Sequence, residues 1–140
     1  MTSRLSDWAR QFLREDRVAM VSTLNTDSSQ QVTTIWYLLQ EDGTLIMSTP
    51  GRTQKVKNLR RDPRIAICVG DERSSVSLYG TATISEDQNV IRRDLEQLVA
   101  RYIKEEAARA PALSLFLQEG RVALHVKPVK VTEFSVDQGH

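Results

Sequence analysis

Ser48-Thr49-Pro50-Gly51-Arg52-Thr53-Gln54-Lys55-Val56-Lys57-Asn58-Leu59 is the stretch from which the rest of the chain is read. Thr44 to Thr49 reads as a strand, and Pro50-Gly51 breaks it. Thr53 to Arg61 reads as a short helix with Val56 and Leu59 on its inner face. Asp62-Pro63 ends it, because the residue before a proline is pushed out of the helical region. The first N–H groups of such a helix lack partners, and its dipole favours negative charge there. Thr53 can cap the helix or give its hydroxyl to an anion. Arg52 and Lys55 can reach the same point. Lys57 follows Lys55 by two residues, so the helix turns it roughly 200° away. From Arg52 to Arg64 the charge is +5, while the whole chain carries +1. An anion site fits this run, and so does a solvated helix face.

Working outward, the order of elements points to one architecture. Leu5, Trp8, Ala9, Phe12 and Leu13 form one face of a first helix, which Thr2 or Ser3 can cap. Arg17 to Leu24 and Gln31 to Leu39 read as strands, separated by the turn chemistry of Asn25 to Ser29. Asp42-Gly43 then joins the second strand to the third as a tight hairpin. After the short helix, Arg64 to Gly70 is an apolar run that suggests a strand buried on both faces. Ser75 to Ile84 is a fifth strand, with Gly80 marking a bulge or a close backbone approach. Ser85-Glu86-Asp87-Gln88 has a capping-box pattern and opens a long amphipathic helix. A shorter helix starts at Ala110-Pro111. Arg121 to Val136 closes the chain as a sixth strand, bent at Pro128. Antiparallel strands with inserted helices make an α+β barrel, not the βαβ alternation of a doubly wound sheet.

Composition narrows the function. The chain has 140 residues, the size of one domain, expected to span 1–140. One cysteine, Cys68, rules out an intramolecular disulfide, and two histidines leave little for a metal centre. No apolar run is long enough to span a membrane, and Met1-Thr2-Ser3-Arg4 leads into an amphipathic segment, so a cytoplasmic protein is expected. The net charge and the lack of an aromatic platform beside the basic run argue against nucleic acid. Neither G-x-G-x-x-G, nor a P-loop, nor a nucleophile elbow occurs. If the chain is an enzyme, a cofactor must supply the chemistry. Gln31, Thr33 and Thr34 bring polar groups to the barrel end that carries Ser48 and Thr49, where a planar heteroaromatic ligand would partner them. They also fit ordinary strand positions on a wet face. Trp36 and Tyr37 point to opposite faces, one for the core and one for a cleft or an interface. His125 reads as a hydrogen-bonded structural residue and Cys68 as an inert core thiol.

The chain resembles the flavin/deazaflavin oxidoreductases of the split β-barrel fold, the pyridoxamine 5′-phosphate oxidase-like superfamily, and within it the PPOX-class F-420-dependent branch. The resemblance runs from about Leu13 to Phe134. Its carriers are Arg17 to Leu24, Gln31 to Tyr37, Ser48 to Arg64, Tyr79-Gly80-Thr81-Ala82 and Arg121 to Leu124. It implies a six-stranded antiparallel Greek-key barrel with flanking helices, forming a homodimer with cofactor sites at the interface. Thr53 and Lys55 match the place where the family holds the cofactor phosphate. Gln31 to Thr34 match where it touches the ring system, and Ser48 and Thr49 the adjacent strand end. Many relatives carry an arginine two residues before the lysine. Here that position is Thr53, and Arg52 is displaced by one. The implied cofactor is F-420, with FMN as the alternative, and the implied partner is a small conjugated or aromatic acceptor. The basic residues Arg52, Lys57, Arg60 and Arg61 suit the anionic tail of F-420. No counterpart of the C-terminal substrate-binding segment of pyridoxamine 5′-phosphate oxidase is found before His140, which argues against vitamin B6 chemistry. A protein that only stores or carries a flavin, a deazaflavin or haem is the reading from another class.

Overall fold

A computed structural model describes residues 5–136. Helix α1 (Asp7–Arg14) leads to strands β1 (Ala19–Leu24), β2 (Gln30–Ile35), β3 (Tyr37–Leu39) and β4 (Leu45–Pro50). Helix α2 (Gln54–Arg61) precedes β5 (Arg64–Gly70) and β6 (Ser74–Ser85). Helices α3 (Gln88–Tyr102) and α4 (Arg109–Leu117), with a 3-10 turn at Glu106–Ala108 between them, lead to β7 (Arg121–Ser135). The seven strands form one antiparallel sheet in the order β2-β1-β5-β6-β7-β4-β3. Its two edges, β2 and β3, are consecutive in the chain. A single residue, Trp36, therefore carries the backbone from one edge of the curled sheet to the other. This α+β split barrel has seven strands rather than six, because Trp36 divides the segment Gln31 to Leu39 in two.

The inward faces make the core. Ala19, Val21, Tyr37, Leu45, Met47, Ile67, Leu78 and Leu124 are each at most 1% exposed. Each large apolar side chain among them contributes about 1.5–3 kcal/mol on burial. The Tyr37 hydroxyl donates to the Leu13 carbonyl at 2.8 Å and ties α1 to the barrel. Burial pushes its pKa up to about 12. Gly80 sits at a register shift between β6 and β7, facing Pro128 with Val129 as the extra residue. A Cβ there would lie 2.7 Å from the Lys127 carbonyl oxygen, so the glycine allows the close approach expected of it.

Several local expectations change. Ser6 caps α1, its hydroxyl accepting from the Ala9 N–H at 3.0 Å. Thr2 and Ser3 lie outside the described residues. Asp87, not Ser85, caps α3. Strand β5 is buried on one face only: Ile65, Ile67 and Val69 point inward, while Cys68 is exposed. Cys68 is therefore not a core thiol. Among the described residues no helix is long and apolar enough to cross a membrane, and no three His, Cys, Asp or Glu side chains gather to hold a metal ion.

Candidate functional site

The end of β4, the start of β7 and the first turn of α2 converge on a cavity of about 330 Å³. Ser48, Thr49, Lys55 and Arg121 give it a polar end, and Val18, Ile35, Trp36, Leu95, Leu98 and Phe116 an apolar wall. Thr34 and Pro50 complete the lining.

The polar end follows from the phase of α2. Val56 and Leu59 must face the barrel, which brings Lys55 inward and leaves Lys57 outside. The Lys55 ammonium is buried and donates to the Thr49 hydroxyl at 3.2 Å. No carboxylate pairs with it among the described residues. Burial, then the nearby Arg121 charge, hold its pKa below the usual lysine value. A buried cation without a counter-ion is costly, and an anion in the cavity would relieve that cost. Beside it the Ser48 hydroxyl donates to the Val122 carbonyl at 3.2 Å. Arg121 donates from Nε to Glu119 Oε1 at 2.8 Å and from Nη1 to the Ser48 carbonyl at 3.1 Å. Its guanidinium lies 4.5 Å over the Phe116 ring.

The apolar wall is a clamp on the edge-to-edge crossing. Trp36 stacks on Tyr102 with ring centroids 4.7 Å apart and meets Phe116 edge-on at 5.7 Å. The Tyr102 hydroxyl donates to the Arg17 carbonyl at 2.5 Å and accepts from the Tyr37 N–H at 3.3 Å. Trp36 thus lines the cleft and Tyr37 the core.

Among the residues singled out from the sequence, Thr34, Ser48, Thr49 and Lys55 line this cavity. The others do not. Thr33 points to the opposite face, and its Oγ1 is buried without a hydrogen-bond partner in the described structure. Gln31, half-buried, pairs in register with Thr23. Thr53 occupies the N-cap position of α2 but makes no side-chain cap bond, and its hydroxyl donates to the Pro50 carbonyl at 3.0 Å. Arg52 is exposed and donates to the Glu119 carbonyl at 3.3 Å.

The sequence pattern of the pyridoxamine 5′-phosphate oxidase family matches residues 5–135, nearly the whole chain. The chain belongs to that family. A relative from Mycobacterium tuberculosis (strain CDC 1551 / Oshkosh), an F-420H(2)-dependent biliverdin reductase, is 30% identical over 102 residues, 72% of this chain and 74% of the relative. A conserved hypothetical protein of Mycobacterium tuberculosis shares the fold with a TM-score of 0.81 at 23% identity, over 94% of this chain and 86% of its own. So does an F-420 reductase, with a TM-score of 0.72 at 19% identity, over 91% and 98%. In this member of the pyridoxamine 5′-phosphate oxidase family, Arg121, Leu95, Leu98 and Phe116 escaped the sequence reading. Pro50 faces Arg121 only because β4 pairs with β7 across some seventy residues.

A second cavity, about 490 Å³, lies by Gln40, Asp42, Thr44, Arg93 and His125. His125 Nε2 is 2.5 Å from Asp94 Oδ2, and Asp94 is 1% exposed. The hydrogen bond ties α3 to the outer face of β7, the structural role expected for His125.

Proposed function

We propose that this chain is an oxidoreductase that works with the deazaflavin coenzyme F-420 and reduces a small conjugated or aromatic acceptor. The observation that carries this reading is the buried Lys55 ammonium, without a carboxylate partner among the described residues, at the polar end of a cavity with an aromatic wall. The family and the F-420-dependent relative support it. Lys55, with Thr49 holding its ammonium, would take the cofactor phosphate. Thr34, Ser48 and Thr49 would flank the ring system, with Gln31 and Thr33 further along β2, and Arg52 and Thr53 standing at the rim. When bound, a deazaflavin supplies two-electron hydride chemistry. The chain's own part is to anchor the phosphate, fix the orientation through the Trp36 clamp and exclude water with Leu95, Leu98 and Phe116. Few reactive side chains line the cavity, which suits a division of labour in which the protein binds and orients.

FMN is the second reading, favoured by the same cation, which would accept its phosphate equally well. A homodimer belongs to the proposal. Met20, Val32, Tyr79 and Val129 are between 39% and 55% exposed on the outer face of the sheet. Val18, 45% exposed, and Thr34 continue that face into the cavity lining. A second copy covering it would stand beside the cavity mouth and help to enclose a ligand too long for 330 Å³.

Side-by-side titration with F-420 and FMN, followed by Trp36 fluorescence, tests the cofactor. Preference for F-420, with turnover on a panel of enones, quinones and tetrapyrroles, is expected. Preference for FMN moves the reading to a flavin enzyme. Tight binding without turnover makes the chain a carrier, and binding of neither removes the cofactor reading.

A further inference from the structure

We propose that Arg121 is a second anion-binding residue of the Lys55 cavity, so that the ligand's phosphoryl group is gripped by two cations, one from α2 and one from β7. The inference rests on the cofactor reading above and goes beyond it, because the grip on phosphate then depends on the pairing of β4 with β7 as well as on α2. Arg121 opens β7 opposite Pro50 and lines the same cavity as Lys55. Its side chain is 15% exposed. A guanidinium offers five N–H donors in a rigid fork. Nε and Nη2 face Glu119 Oε1, each at 2.8 Å, and Nη1 gives one N–H to the Ser48 carbonyl at 3.1 Å. One N–H on Nη1 and one on Nη2 have no further partner in the described structure. The Glu119 contact, the Ser48 carbonyl and the Phe116 ring fix the plane of the guanidinium, so little ordering is left for a ligand to impose.

The charge balance points the same way. Lys55 and Arg121 stand close enough for the Arg121 charge to disfavour protonation of Lys55. Bringing two cations together at a half-enclosed surface is unfavourable by itself. Glu119 offsets one of them, and its side chain is 36% exposed at the rim. The remaining positive charge faces the cavity. A phosphoryl group there would meet both a lysine point charge and a guanidinium edge, two kinds of donor that phosphate oxygens favour. Both a terminal phosphomonoester and a phosphodiester with a neighbouring carboxylate present that chemistry.

The test compares ligands with and without phosphate on the full chain. Affinities are measured for FMN against riboflavin, and for F-420 against its dephosphorylated chromophore. Inorganic phosphate is titrated separately by its shift of the thermal midpoint. Arg121→Gln is expected to cut the affinity advantage of the phosphorylated ligand about tenfold or more, with the dephosphorylated ligand little affected. Arg121→Lys, which keeps the charge, is expected to retain much of the advantage. Equal losses for both ligands in Arg121→Gln would make Arg121 merely structural and overturn the inference, as would an undiminished phosphate advantage. Thermal stabilisation by phosphate that depends on Arg121, with no binding of either cofactor, would uphold the inference while removing the cofactor reading. A wild-type chain indifferent to every phosphorylated ligand and to phosphate would overturn both.

Discussion

Lys55 is where stability and the proposed binding oppose each other. Its pKa lies below the ordinary 10.5 of lysine, with burial the main cause and the Arg121 charge the next. The folded chain therefore releases this proton at a lower pH than the unfolded chain does. Between the lowered value and 10.5 the unfolded state holds more protons, so this group makes stability rise with pH in that window. Below the window, neutrality included, the charge is a standing cost of the ligand-free fold. Lys55→Met keeps the length of the stem and removes the charge. It is expected to raise the thermal midpoint of the ligand-free chain by about 2–5 °C, the effect of roughly 1 kcal/mol in a domain of this size. The same variant is expected to weaken a phosphorylated cofactor by about 1.5–3 kcal/mol, measured by titration. A fall in midpoint would mean that the bond to the Thr49 hydroxyl outweighs the cost of the buried charge. For the wild type, affinity for a phosphorylated ligand is expected to fall as pH rises through the lowered lysine value, because the ammonium is then lost.

At the scale of elements, two features matter, a hydrogen bond behind the wall of the site and a bulge in the sheet. The first is the Asp94–His125 hydrogen bond, which pins the helix carrying Leu95 and Leu98 against β7. His125→Ala leaves the buried carboxylate, among the described residues, with the Arg93 contact at 3.3 Å alone, and is expected to cost about 1–3 kcal/mol in urea unfolding. The second is the bulge at Gly80. Gly80→Ala sets a methyl against the Lys127 carbonyl and is expected to cost about 1–3 kcal/mol, read as a lower unfolding midpoint with an unchanged slope. These elements also mark how far the sequence could be read. The strand-turn-helix junction at 48–59 was legible because its cues are local: a proline-glycine break, a helical phase and a cation two residues from its outward neighbour. The inner face of α2 is the one those cues predict, and Lys55 lines the cavity while Lys57 stays outside. Arg121 and the helical wall were not, because they meet Lys55 only through pairings set by the closed sheet. Trp36 looked like one more strand residue, since β-propensity carries no sign of where a barrel passes from edge to edge. The apolar run 64–70 suggests burial on both faces, whereas Ala66 and Cys68 point out of the barrel.

That outward apolar face is the strongest feature of the molecule as a whole. A lone split barrel would be expected to carry polar residues on the outside of β1, β2, β5 and β6. Instead Met20, Val32, Cys68 and Tyr79 line a shallow groove there, and a second groove follows past Tyr79 to Val129. Contiguous exposed apolar surface of this kind supports the proposed interface. The proposed homodimer would bury it, and Met20 at its centre is 51% exposed in the single chain. Met20 projects away from the core between Thr34 and Cys68, so a charge there costs the barrel little and a packed interface much. Met20→Glu is accordingly expected to leave the circular dichroism spectrum unchanged and to shift the mass in light scattering from twice the chain mass towards the chain mass of 15.9 kDa. Because Val18 and Thr34 join this face to the cavity, cofactor affinity is expected to fall in the same variant and to recover at high protein concentration. A monomeric wild type would remove the dimer. A dimer that survives Met20→Glu would move the interface elsewhere. A monomeric variant with unchanged affinity would show that one barrel encloses its ligand alone.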